Sequence, residues 1–387
     1  MKKYIAICSS EMDTYSDYAL FSIVSIFILN ASTYEVGFLG ACYAIPFYFL
    51  SARYGRYFDK TDVRPSRAVL FFICALCTPT ILFIDSMLAI YGLLLFKVSL
   101  RVGLSTSIPK LNENKEESKQ FYEVTGYILN LSRIGVPLVV ITLYDQYGLS
   151  YVVGMSVFFS FLGLVTTLAD SAYKPESSLN ERLLEGASVR DLIRKNRGLF
   201  LLTLTYIMSS ISFYLSNDML SVFFRYIGEE ESSIGYIITI LGVGGVIGTK
   251  VASATLKKIP PISVFTLSIL TNASSFAVLG LTDTESTAAL FYYGSIFVTG
   301  IASGIAFVSL KLGIRRAVKF SQLATVTGYI QKIAALVAMS LPILGGVTSG
   351  VWGIQNTFTI TAVLLGGVFI YALRQKDIKT PVKEPQA

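Results

Sequence analysis

Val98-Ser-Leu-Arg-Val-Gly103 returns later in the chain as Val308-Ser-Leu-Lys-Leu-Gly313, and Thr125-Gly-Tyr-Ile128 returns as Thr327-Gly-Tyr-Ile330. The offsets are 210 and 202 residues, so the matched elements keep their order with a small difference in length. Either match alone could be chance. Together they point to a duplicated half repeated in the same sense, with the first pair in spans four and ten and the second opening spans five and eleven.

Outward from these repeats the chain is apolar almost throughout. Of 387 residues, 53% are hydrophobic and 15% charged, and the mean hydropathy is +0.61. That is too little polar surface to cover a soluble body of this size. The apolar residues fall into about twelve runs of roughly 20 residues, the length a helix needs to cross a hydrocarbon layer of about 30 Å. The predicted spans are Tyr4–Leu29, Tyr34–Arg53, Arg67–Ile84, Met87–Ile108, Tyr122–Leu143, Ser150–Leu168, Leu199–Phe224, Ser233–Ala254, Ile262–Leu281, Ala288–Leu310, Leu323–Thr348 and Thr357–Leu373. The division is then an N-terminal six-helix bundle at 1–169, a charged cytoplasmic linker at 170–198, a C-terminal six-helix bundle at 199–375 and a cytoplasmic tail at 376–387.

Loop charge sets the orientation, because short loops rich in Lys and Arg stay in the cytoplasm. Even-numbered connections carry Arg53, Arg56, Lys60, Arg64 and Arg67, then Lys110, Lys115 and Lys119, then Lys257 and Lys258, then Arg315, Arg316 and Lys319. Odd-numbered connections carry Glu35, Asp85, Asp145, Glu229 to Glu231, Asp283 and Glu285, with Arg225 as the basic exception. Both termini are therefore expected in the cytoplasm, on a multi-pass protein with an even number of spans. The net charge of +7 belongs to this alternation, and nucleic acid is not an expected partner. Met1-Lys2-Lys3 mimics the start of a signal peptide, but Glu11, Asp13 and Asp17 interrupt the apolar stretch, which reads as a retained first span.

The second span runs into Tyr54-Gly55-Arg56-Tyr57-Phe58-Asp59-Lys60-Thr61-Asp62-Val63-Arg64. This stretch resembles the signature loop of the major facilitator superfamily, Gly-x-x-x-Asp-Arg/Lys-x-Gly-Arg-Arg. Gly55, Asp59, Lys60 and Arg64 match, and Asp62 replaces the second glycine. That variant is similar to the branch containing macrolide and siderophore exporters. So are Ser10-Glu-Met-Asp-Thr-Tyr-Ser-Asp17, followed by Ala19-Leu20, in span one, and Pro46 in span two. The resemblance implies an all-α membrane protein with twelve transmembrane helices in two pseudo-symmetric six-helix halves. It implies that Asp59 locks the outward-facing state against a helix N-terminus, with Gly55, Lys60 and Arg64 completing the conformational loop. The plainer account of Lys60 and Arg64 is that they enforce orientation. Span five keeps Gly126, Gly135 and Pro137 of the exporters' Gly-rich run but lacks its trailing glycine pair, so direction of transport is less marked than fold.

An ionisable residue deep in a span is costly unless paired or hydrated, so each is a candidate. Span one offers Glu11, Asp13 and Asp17; span four Lys97 and Arg101; span five Arg133; span eleven Lys332. Asp13 and Asp17 are one helical turn apart and share a face, as do Lys97 and Arg101, while Glu11 points elsewhere. Asp17, roughly midway along its span, is the first choice as proton carrier, with Glu11 and Asp13 behind it. The alternative is that these charges form fixed ion pairs that never titrate. Arg101 and Arg133 stay charged and can hold an anion but cannot carry a proton. The substrate cavity, between spans one, four, seven and ten, is expected to draw on Tyr15, Lys97, Arg101, Arg133, Tyr214, Phe307 and Lys332.

Other motifs carry less. Gly242-Val-Gly-Gly-Val-Ile-Gly248 mimics a dinucleotide fingerprint, but no strand precedes it, and close helix packing is the expected use of Gly244-x-x-x-Gly248, Gly300-x-x-x-Gly304 and Gly346-x-x-x-Gly350. Cys74-x-x-Cys77 has metal spacing, but there is no second pair and no histidine in the chain. No Walker loop or nucleophile motif is present, so no enzyme, cofactor or metal is expected. The expected function is proton-coupled export of a drug, peptide antibiotic or siderophore by a monomer in a bacterial cytoplasmic membrane. Uptake by proton symport is the alternative, and a non-transporting receptor the next. Small-molecule substrate, protons and the lipid bilayer are the expected partners.

Overall fold

The computed structural model describes residues 2–29, 31, 33–112, 114, 116–170, 189–216, 219–228, 233–282 and 289–375. The expected tail at 376–387, most of the 170–198 linker and the loop acids Glu229 to Glu231, Asp283 and Glu285 lie outside them. The described chain is all-α. Its first six helices are α1 (Lys2–Ile23), α2 (Thr33–Lys60), α3 (Val63–Cys77), α4 (Met87–Ser107), α5 (Ser118–Tyr147) and α6 (Leu149–Leu168). Then follow α7 (Val189–Lys195), α8 (Arg197–Ser216), α9 (Met219–Tyr226), α10 (Ser233–Thr255), α11 (Pro261–Leu281), α12 (Ala289–Ala317), α13 (Leu323–Trp352) and α14 (Ile354–Arg374).

Ten helical stretches among the described residues are long and apolar enough to cross a membrane by length and composition. In α1 every membrane-length stretch includes Glu11, Asp13 and Asp17, the three carboxylates that matter below. The boundaries depart from the sequence expectation in informative places. α1 continues as a π-helical turn over Val24–Ile28, a form of helix that recurs at functional sites. Helix α2 extends to Lys60, so most of the signature loop is helical and the chain turns only at Thr61 and Asp62. Asp62 caps α3, its carboxylate accepting from the Arg64 N–H at 3.0 Å. Arg67, counted above with the loop, lies inside α3 and is fully buried. The described residues of span seven lie in α8 and α9.

The helices form two compact units, and each is described by itself. The first comprises residues 1–114, 132–189 and 319–335; the second comprises 115–131, 190–318 and 336–387. The boundaries pass through the interiors of α5 and α13.

In the first unit α1 packs on α6, α2 on α4, and α3 on both α4 and α6. Leu20, Phe21, Val24, Cys42, Ile90, Leu94, Val98, Val140 and Val152 fill the core. Large apolar side chains also face outward, Phe83 at 84% and Leu88 at 81% exposure, as they must if lipid is the solvent. The opening turns of α13 belong here: Ser51 donates to the Gly328 carbonyl at 2.8 Å, and a Cβ on Gly55 would collide with the Ala324 carbonyl.

In the second unit α10 packs on α12, α11 on α12 and α14, and α8 on α14. The α10/α12 contact is built from glycine. A Cβ on Gly244 would run into the Phe297 carbonyl, on Gly248 into Ile301, on Gly300 into Leu241 and on Gly304 into Gly245. Two backbones at that separation need small residues on both sides. Gly346 and Gly350, expected to work the same way, have open space around them. Gly345 makes the close approach instead, against the Leu215 carbonyl. The opening half of α5 lies on α10: a Cβ on Gly126 would press on Thr249, and one on Gly245 on Asn130.

Candidate functional site

Three helices of the first unit each present a polar pair one turn apart, and the three pairs meet. α1 supplies Asp13 and Asp17, α4 supplies Lys97 and Arg101, and α6 supplies Ser156 and Ser160. Residues four apart stack on one helix face, which is why each pair acts together.

Asp17 is the hub. Lys97 Nζ donates to its Oδ1 at 2.6 Å and Arg101 Nη2 to its Oδ2 at 2.5 Å. Ser156 Oγ also donates to Asp17 Oδ1, at 3.0 Å. Asp13 holds the other side: Ser156 reaches its Oδ1 at 2.6 Å, Ser160 its Oδ2 at 2.9 Å, and Arg101 Nη2 lies 3.1 Å from that second oxygen. Arg101 also donates to the Asp13 backbone carbonyl at 2.6 Å, and Lys97 to Thr78 Oγ1 at 2.6 Å. All four charged side chains are buried.

Two carboxylates against two cations make the cluster neutral, the condition under which charges survive away from water. The donors are unevenly shared. Asp17 accepts from both cations, so a proton arriving there disturbs Lys97 and Arg101 together. Arg101 still has Nε and Nη1 without an acceptor among the described residues, and the buried Tyr43 hydroxyl is likewise without a partner.

Glu11 is not part of the cluster; it acts electrostatically on Arg67 and Tyr15. Arg67 donates through Nη1 to the Leu104 carbonyl at 2.8 Å and to Ser107 Oγ at 2.5 Å. Tyr15 lies within electrostatic reach of Arg133. Lys332 stands 5.0 Å from the Tyr48 ring centroid. Tyr214 and Phe307 belong to the second unit, where Tyr214 packs edge-on to Phe213.

The conformational loop forms a second focus. Asp59 Oδ1 accepts from the Ala324 N–H at 3.1 Å and Oδ2 from the Thr325 N–H at 2.7 Å. These are the first-turn donors that a helix leaves unpaired, here at the start of α13. Gly55, one turn before Asp59, lets the α2 backbone come close enough. Lys110, which the sequence offers only as a loop charge that sets orientation, completes the site. Its Nζ lies 3.3 Å from Asp59 Oδ1, donates to the Phe320 carbonyl at 2.8 Å and stands 3.9 Å from the Phe320 ring centroid. Lys60 is exposed, and Arg64 turns away to donate to the Asp170 carbonyl at 2.5 Å. With 28 residues, α2 is about 42 Å long, so Asp59 near its end lies beyond a hydrocarbon layer of about 30 Å. Burial raises its carboxyl above the ordinary value, against the pull of Lys110 and the α13 donors.

Asp59→Asn keeps the shape of this contact and removes its charge. The contact should weaken by about 1–3 kcal/mol. In a cysteine-free background, labelling of Thr325→Cys by a thiol reagent is expected to rise several-fold in the Asn variant. Unchanged labelling would show that packing at Gly55, and not charge, holds α13.

Long apolar helices around a buried, neutralised ion cluster define a multi-pass membrane protein. The particular family follows from comparison with known proteins. A model of the Major Facilitator Superfamily matches residues 6–331 and 202–387, and the chain belongs to that superfamily of transporters. Its structure is similar to the human organic anion transporter TETRAN, at 14% identity over 96% of this chain and 98% of that one, with a TM-score of 0.75. It is also similar to a bacterial homologue of the iron transporter ferroportin in an outward-facing state, at 13% identity over 97% and 99%, with a TM-score of 0.73. The fucose:proton symporter of E. coli is a third, at 12% identity over 96% and 97%, with a TM-score of 0.70. At these identities the likeness is one of fold. No curated protein matches the sequence.

Proposed function

We propose that the chain exports a small molecule, of the drug, peptide antibiotic or siderophore kind, by proton antiport with alternating access. The observation that carries this reading is the single carboxylate of Asp17 shared between Lys97 and Arg101. A proton on Asp17 would break both ion pairs at once, so its arrival or departure changes how α1 is tied to α4. That is the differential interaction a coupled transporter needs. Asp13 would hold Arg101 while Asp17 is neutral, and Glu11 would exchange protons closer to the N-terminal end of α1 than Asp17.

The export direction rests on the loop variant with Asp62 and on the span-one pattern. Asp59, bound to the first turn of α13 and steadied by Lys110, would act as the latch of one transport state. The halves would be 1–169 and 199–375, joined by the 170–198 linker, with both termini in the cytoplasm of a bacterium and the monomer as the working unit.

Efflux from loaded cells, with and without an uncoupler, across antibiotics, peptides and siderophores tests this. Extrusion that stops with the uncoupler is expected. Gradient-driven accumulation would select uptake by symport, and absence of flux for every compound would favour a receptor.

A further inference from the structure

The acidic and basic residues in the spans of the first unit leave the substrate's charge open when read from sequence. The structure changes this, because Asp13 and Asp17 are taken up by Lys97 and Arg101. Glu11 acts on Arg67, Tyr15 and Cys8. Two half-buried cations inside spanning helices of the first unit remain unmatched. Among the described residues neither Arg133 of α5 nor Lys332 of α13 makes an ion pair or donates a hydrogen bond, and both side chains are only half-buried.

Both residues belong to the first unit. Arg133 follows Thr125 by eight residues and Lys332 follows Thr327 by five, counted from the repeated Thr-Gly-Tyr-Ile motif. At about 1.5 Å of rise per residue, they lie within about 5 Å of the same depth along corresponding helices. Each has a tyrosine beside it, Tyr15 for Arg133 and Tyr48 for Lys332.

An unpaired cation in a spanning helix is unfavourable by several kcal/mol unless water or a counter-charge reaches it. Two of them at similar depth, Lys332 over the Tyr48 ring and Arg133 within electrostatic reach of the Tyr15 hydroxyl, suit a ligand that brings negative charge on an organic body. We infer that the transported molecule is a small organic anion whose acidic group is met by Arg133 and Lys332. The arginine fork matches a carboxylate or phosphate, and the lysine supplies a point charge. Tyr15 and Tyr48 offer surface for the apolar remainder. This rests on the transport reading above and narrows its substrate class.

The test uses fluorescein and a cationic rhodamine ester, xanthene dyes of similar size and opposite charge, with a series of aromatic carboxylates and matched amines. Binding is read by fluorescence anisotropy on detergent-purified protein and by competition; flux is read in proteoliposomes. Anions should bind and move. Arg133→Gln and Lys332→Gln should each weaken anion binding about tenfold, the loss of roughly one charge-assisted hydrogen bond. Lys332→Arg should keep most of it, which separates lost charge from lost folding. Preference for the amines or the rhodamine ester, unchanged in both Gln variants, would overturn the inference and leave transport standing. Charge-dependent binding of anions without flux would uphold the anion site and overturn transport. No binding by either series overturns the inference.

Discussion

Asp17→Asn abolishes gradient-driven transport and leaves a protein measurably less stable: this is the largest functional effect the structure leads us to expect. The carboxylate neutralises Lys97 at 2.6 Å and Arg101 at 2.5 Å, all three side chains being buried. An amide of the same shape leaves at least one buried cation uncompensated, an imbalance worth about 3–5 kcal/mol when one partner of a buried pair is removed. Stability and coupling can be separated by adding Lys97→Met. The double variant is again neutral, because Asp13 remains with Arg101, and its melting temperature in detergent should return most of the way. Transport should not return, since no titratable carboxylate links α1 to α4 at that point. Full active transport by Asp17→Asn at normal expression would remove Asp17 from the mechanism. Recovery of transport in the double variant would show that the cluster is purely structural.

The second large effect falls in the other unit. Gly248→Leu should prevent folding of α10 against α12, because even the first side-chain carbon would occupy the space of the Ile301 carbonyl oxygen. A backbone atom cannot rotate away as a side chain can, so the two helices must separate. The neighbouring contacts at Gly244, Gly300 and Gly304 then fail with it. We expect loss of monodisperse protein on gel filtration. Gly346→Ala is the matched control. Nothing lies within 4 Å of its added Cβ, so that variant should fold normally and gain up to about 1 kcal/mol of helix propensity. Equal tolerance of both substitutions would mean that α10 and α12 do not approach as closely as described.

These two sites differ in how far the sequence foretold them. The pairs Asp13/Asp17 and Lys97/Arg101 are visible from spacing alone, because four residues bring two side chains onto one helix face. Spacing does not say what that face meets. Ser156 and Ser160 carry the same spacing in an uncharged α6, yet nothing in α6 names α1 as their partner. Lys110 reads as one more basic loop residue, and its place beside Asp59 becomes evident only when α13 begins at the same point. Arg67 opens the third span in the sequence and also reads as the last of the loop charges; its full burial inside α3, with Nη1 donating to the Leu104 carbonyl and Ser107 Oγ, is not legible from composition. The small-residue pattern succeeded at Gly244 and Gly248 and failed at Gly346 and Gly350. A small-x-x-x-small stripe permits a close approach but does not require one.

The ion cluster also dictates an order of events during synthesis. Asp17 precedes Lys97 by 80 residues and Arg101 by 84. At a ribosomal rate of about 5–20 residues per second, α1 waits about 4–17 s for its counter-charges. Throughout that interval a helix with three carboxylates would have to reside in hydrocarbon alone, where each acid near the middle is unfavourable by about 2.5–3.5 kcal/mol. α1 therefore cannot settle in the membrane when it emerges. It must wait at the bilayer surface or in the shelter of the insertion machinery until α4 arrives, and α1 is secured no earlier than the helix three places after it.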